Sequence, residues 1–211
     1  MNDFGQQLLA QSELVRPPFQ GTEVEVCSHS LSPDFLSILR VSNGLISKRR
    51  IVRVFGTDSD SSIPSLFQWN DSEWKREYGR LAQGLVFVAE DIFGDQYGYM
   101  FRDGPPMFVK FYCEGGKTEE VAGGLNSLRR AIIDPGISGF FDLSLMEVAF
   151  SAGLLPSANE HLAFRVPLIV GGSHEPDNLC VEDIDIHLGT LAQISLRNTT
   201  LPDGSRINRF L

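Results

Sequence analysis

Long apolar runs, paired cysteines and nucleotide-binding loops are all missing from this chain of 211 residues. No apolar stretch approaches the roughly 20 residues that a membrane-spanning helix needs. The N-terminus, MNDFGQQLLAQSELV, has no basic start and no long apolar core, so it does not read as a signal peptide. Cys27, Cys113 and Cys180 are odd in number, far apart and without a CxxC. That argues against a disulfide framework or a zinc ribbon, and for reduced thiols in a cytoplasmic protein. The chain has no Walker loop and no G-x-G-x-x-G. IVGGSHEP holds a serine after two glycines but not G-x-S-x-G, and SHEP is not H-E-x-x-H. His29, His161, His174 and His187 form no pair at metal-ligand spacing. The residues therefore point to no enzyme and no cofactor.

Positive charge is also scarce. The net charge is −9, which disfavours nucleic acid as a partner and suits a cationic one. From Val166 to Leu196 there is no Lys or Arg, yet Glu175, Asp177, Glu182, Asp183 and Asp185 lie there. Between Arg80 and Arg102 there is again no base, and Glu90, Asp91 and Asp95 fall in that span. These acids have no local counter-charge. They are either a plain solvated surface or a face that steers and docks a cationic partner.

What is present is enough to fold. The chain is 42% hydrophobic with fifteen Phe, which excludes disorder. Phe4, Leu8 and Leu9 predict a first helix over 4–15, and GTEVEVCSH alternates like a strand. LSPDFLSILRVSNG reads as a helix with Ser32 as N-cap, Pro33 at the first position, a Leu31–Leu36 staple and Asn43-Gly44 as the stop. RIVRVFG reads as a strand. NDSEWKREYGRL reads as a helix capped by Asn70, with Glu73 three residues on. GLVFVAE, YGYMF and MFVKFY form a meander, with Asp103-Gly104 in the second turn. TEEVAGGLNSLRRAII reads as a helix capped by Thr118, and DPGISG as a linker. Then come a helix in FDLSLMEVAFSAGLLP, an edge strand in LAFRVPLIVGG and a helix in EDIDIHLGTLAQI. The mixed order predicts an α+β fold with a central, largely antiparallel sheet flanked by helices. The boundaries suggest a domain over 1–134 and a C-terminal α/β region over 140–211, packed on the first.

Three local patterns allow sharper readings. AEDIFGDQYGYMF puts Glu90, Asp91 and Asp95 around Gly94. It lacks the alternating ligands of a calcium loop, so a hairpin turn is the plainer account, with Gly94 at positive φ and Asp95 bonding backbone. DIDIH brings Asp183, Asp185 and His187 together as metal ligands only if it is a strand. As a helix it turns Asp185 away. Lys48, Arg49, Arg50 and Arg53 read as a solvated guard at a strand edge.

The same stretches resemble a known family. Leu31, Pro33, Phe35, Asn43, Gly44, Phe55, Gly56, Phe87, Gly94 and Asp95 match the pattern of the SUKH superfamily of bacterial immunity proteins and the related GAD-like immunity domains. Pro33 stands one place late, Leu45 replaces a second glycine, and Val88 precedes the expected alanine. In the C-terminal part, Pro167, Gly171, Gly172, Asn178, Leu179, His187, Leu188, Leu191 and Gln193 are similar to the C-terminal domain of type VI secretion immunity proteins. The resemblance implies a non-catalytic antitoxin that binds a cognate secreted toxin, such as a nuclease. A regulatory scaffold on the same fold is the alternative, and a metal-dependent hydrolase built on Asp183, Asp185 and His187 a third. The partner-facing candidates are Glu175, Asp177, Glu182, Asp183, Asp185, Glu90, Asp91 and Asp95.

Overall fold

The computed structural model describes residues 3–60, 62–102, 104–136 and 140–201. The turn residue Asp103 and the end of the predicted linker fall outside them.

Helix α1 (Asp3–Ala10) is shorter than predicted and gives way to β1 (Ser12–Val15). GTEVEVCSH is not one strand but a small hairpin, β2 (Glu25–Val26) and β3 (His29–Ser30). Helix α2 (Pro33–Leu39) starts as predicted: Ser32 caps it by accepting the Phe35 N–H, and Leu31 and Leu36 are both buried. It stops earlier, at Arg40, and Gly44 instead turns the chain into β4 (Leu45–Ser47). After a 3-10 turn at Lys48–Arg50, β5 (Val52–Val54) follows.

The predicted Trp-bearing helix is two pieces, α3 (Leu66–Asn70) and α4 (Glu73–Glu77). Asn70 is no cap. Its side chain accepts the Phe87 N–H and donates to Phe87 O and Leu66 O, clamping the helix to a strand. The meander is present as β6 (Leu85–Asp91), β7 (Gln96–Met100) and β8 (Met107–Tyr112). The next segment departs from expectation. Thr118 lies in β9 (Lys117–Glu120), and α5 (Leu125–Ile133) begins only after Gly123 and Gly124. Both glycines sit at positive φ, 78° and 60°, which a continuous helix does not allow.

Helix α6 (Leu143–Ser151) starts on its cap, Asp142, and β10 (Glu160–Phe164) pairs with β11 (Leu179–Asp183). The strand predicted through residue 172 ends at Phe164, and the proline-led segment is a 3-10 turn at Leu168–Val170. The last helix among the described residues is α7 (Ile184–Asn198), capped by Asp183 through the Asp185 and Ile186 N–H groups.

The fold is α+β. Seven strands pair antiparallel in the order β1-β4-β5-β6-β7-β8-β9, and β10–β11 form a separate hairpin. Cross-strand neighbours share a face and successive residues alternate. Gln96 and Phe111 are such neighbours, and they meet Trp69 and Tyr78 of the α3–α4 side. Tyr97 and Tyr99 lie on the opposite face. There Tyr97 packs on Phe140 and Phe141 ahead of α6, and Tyr99 meets Ser32 at the start of α2.

The C-terminal region is no loose appendage. Helix α7 packs along α4, and one buried apolar cluster runs from Leu8 to Ala192. The β6–β7 turn is the seat for β10: Leu162 N–H donates to Ile92 O at 2.9 Å, and Phe93 stacks on Phe164.

Candidate functional site

Alternation along β6 separates the first two carboxylates of AEDIFGD. Glu90 points to the α3–α4 face. There it stands opposite Arg53 in register, with the Arg53 Nη1 at 3.2 Å, and accepts from Gln96 Nε2 at 3.1 Å. Gln96 in turn accepts from Trp69 Nε1 at 2.7 Å. His161 Nε2 lies 3.3 Å from Glu90 Oε2, and His161 Nδ1 lies 3.1 Å from His187 Nδ1. Burial works to raise the Glu90 carboxyl, but Arg53 and His161 outweigh it and hold it below its ordinary value. Burial, helped by His161, pushes His187 down to about 3, so this imidazole is neutral.

Asp91 points the other way. It accepts from Tyr97 Oη at 3.0 Å and lies 3.3 Å from Lys110 Nζ, while Asp95 meets the same ammonium at 2.9 Å. Burial raises Asp91 to about 6 even though Lys110 opposes it. Gly94 has φ 84°, as predicted, but the loop is held chiefly by Asp91, whose Oδ1 accepts the N–H groups of Phe93 and Asp95. Asp95 accepts from Cys113 N at 3.0 Å.

This corrects the reading of the stretch as partner-facing. Glu90 and Asp91 are buried, and bases distant in sequence pair with all three acids. The basic cluster is corrected in part: Lys48, Arg49 and Arg50 are exposed, as a solvated edge requires, but Arg53 is not. Arg53 is buried and also donates to Ala158 O. Arg49 pairs with Glu147, and Arg50 pairs with Glu13 and donates to Pro156 O. These arginines tie the C-terminal region to the sheet.

The acids of the C-terminal stretch divide. Glu175 and Asp177 are exposed on the loop before β11, and Glu182 is half-buried within it. Asp183 and Asp185 stand at the start of α7, where they meet α4. One cavity of about 530 Å³ is lined by Glu73, Glu77, Asp185, Ile186 and Gln193. A second, of about 540 Å³, is lined by Asp60, Asp183, Asp185 and Arg53. The two share Ser72, Trp74 and Asp185 and so form one trough. Among the described residues, no cation lies within ion-pair distance of Glu73, Glu77, Asp183 or Asp185. The bases of α4 are engaged elsewhere: Lys75 Nζ donates to Asn70 Oδ1 and Leu85 O, and Arg76 pairs with Asp71. Ile186 is 59% exposed at the rim. Sequence reasoning found Asp183 and Asp185 here but missed Glu73 and Glu77.

Asp183, Asp185 and His187 do not converge. Both aspartates face the trough, while His187 is buried and lines a different cavity. Among the described residues no three metal-ligating groups cluster.

The whole-chain shape has a solved counterpart. It is similar to the crystal structure of Atu4351 from Agrobacterium tumefaciens, with a TM-score of 0.53 and 10% identity over 89% of this chain and 88% of that one. At that identity the likeness is one of fold alone. No family profile and no curated protein matches the chain. No helix among the described residues is long and apolar enough to cross a membrane.

The trough thus joins unpaired carboxylates to one exposed isoleucine. In general, carboxylates at a docking surface speed encounter with a basic partner, and burying an exposed isoleucine contributes about 1.5–3 kcal/mol.

Proposed function

We propose that this chain is an immunity protein that neutralises a basic protein toxin by binding it, and that the α4–α7 trough is the docking site. The observation that carries the reading is the meeting of Glu73 and Glu77 with Asp183 and Asp185 around the exposed Ile186, none of the four with a cation in ion-pair distance among the described residues. The resemblance to immunity-protein motifs supplies the class of partner. The acidic balance of the chain agrees with it. Neutralisation then works by occluding a cationic surface of the toxin, with no chemistry performed by this chain.

The test is co-expression with the product of an adjacent gene that kills cells when expressed alone. Restored growth, together with a purified complex whose affinity falls as salt rises, is the expected result. A complex with a non-toxic neighbour would favour the scaffold reading. Turnover of an ester, phosphodiester or peptide by the pure protein would defeat both.

A further inference from the structure

The Arg53–Glu90–His161 cluster is paired by charge but incomplete in its hydrogen bonds. Arg53 Nε, Glu90 Oε1 and His161 Nε2 are buried and have no hydrogen-bond partner among the described residues. The other positions of these side chains are filled. Arg53 Nη2 donates to Ala158 O, Glu90 Oε2 accepts from Gln96 Nε2, and His161 Nδ1 meets His187 Nδ1. The open atoms lie close together, because Arg53 Nη1 is 3.2 Å from Glu90 Oε1 and His161 Nε2 is 3.3 Å from Glu90 Oε2. A buried polar atom without a partner is costly, and native proteins leave few of them.

A small cavity lies against the same three side chains. Ile46 and Ile92 line it from the sheet side, and Pro156, Ser157 and Ala158 from the C-terminal region. It is not the cavity of about 600 Å³ beside the β6–β7 turn, which His187 lines. Its volume is about 10 Å³, room for a single water molecule and too little for an organic ligand.

We propose that this cavity holds one long-lived water molecule that bridges Arg53, Glu90 and His161. The chemistry of the open atoms selects the occupant. Arg53 Nε only donates, and the ionised Glu90 carboxylate only accepts. Chloride has no proton to give Glu90, and a metal ion or ammonium has no lone pair for Arg53. Water accepts from Arg53 Nε and donates to Glu90 Oε1. It keeps one proton and one lone pair, so it serves His161 Nε2 in either protonation state. Three such bonds are the usual number for a buried water. The water then joins β5 and β6 of the sheet to β10 of the C-terminal region. This inference is independent of toxin binding and is tested without any partner protein.

The experiment uses the purified full chain in two measurements. Nuclear magnetic resonance looks for dipolar cross-relaxation between water and Arg53 Hε, whose sign separates a bound water from proton exchange. Oxygen-17 relaxation dispersion counts the waters that stay bound longer than the protein takes to tumble. A dipolar cross-peak at Arg53 Hε is expected. The Arg53→Met, Glu90→Leu double variant, which removes both charged partners, should hold one long-lived water fewer. Far-ultraviolet dichroism checks that the double variant stays folded, and the wild-type cross-peak needs no variant. Absence of that cross-peak, absence of any long-lived water in the wild type, or an unchanged count in the folded double variant would each overturn the proposal.

Discussion

His161 and His187 meet Nδ1 to Nδ1 at 3.1 Å, one from β10 and the other from α7. The contact links the Arg53–Glu90 pair under the sheet to the cavity beside the β6–β7 turn. It makes the C-terminal region part of the same electrostatic unit as the meander.

The burial of His187, helped by that contact, fixes a pH dependence. His187 is held at about 3 against an ordinary 6.5, so the unfolded chain takes up a proton that the folded one refuses. Stability should therefore fall by up to about 1.4 kcal/mol per pH unit as pH drops from 6.5 towards 3. Asp91, raised from 3.8 to about 6, acts in the opposite sense, because the folded state takes its proton first. The two oppose each other between about 6 and 3.8, so the wild-type profile alone hides both. Urea unfolding of the wild type and His187→Gln at several pH values separates them. Relative to the variant, the wild type should lose stability steadily below pH 6.5. A pH-independent difference would mean that His187 titrates normally.

The Arg53–Glu90 pair makes a non-additive prediction. Arg53→Met leaves a buried carboxylate without its counter-ion and should cost about 3–5 kcal/mol. Adding Glu90→Leu removes that charge and should recover part of the loss. Denaturant unfolding of both singles and the double completes the cycle. Additive losses would show that the two side chains do not act as a pair.

Gly94 joins the hairpin turn to the C-terminal region. A Cβ there would stand 2.9 Å from His161 Nδ1 and 3.2 Å from Leu188 Cδ2, at a φ that favours glycine. Gly94→Val should destabilise by about 1–3 kcal/mol. An unchanged melting temperature would show that the turn is not tightly seated.

Local signals carried much of the fold in plain view. Ser32-Pro33, the three meander strands and the period of α7 were all legible because neighbours in sequence determine them. Strands β4 and β9 were not, since LIS is short and the Gly123-Gly124 break was masked by helix-favouring flanks. The site was legible by half for a similar reason. Glu90 and Asp91 lie in a base-free stretch of sequence, but Arg53 and Lys110 reach them across the sheet. Glu73 and Glu77 are the mirror case. Lys75 and Arg76 sit between them in sequence, and only the fold turns Lys75 inward and gives Arg76 to Asp71.

The central claim is that the trough docks a basic toxin, and a Glu73→Lys, Asp185→Lys variant tests it most directly. Neither residue is a helix N-cap, and the loss of favourable first-turn charge is about 0.3–1 kcal/mol each, too little to unfold the chain. The measurement is the affinity of wild type and variant for the toxic product of the adjacent gene, at two salt concentrations. The account predicts an unchanged melting temperature, much weaker binding by the variant and a flatter salt dependence. Equal affinity and equal salt dependence in a folded variant would contradict it.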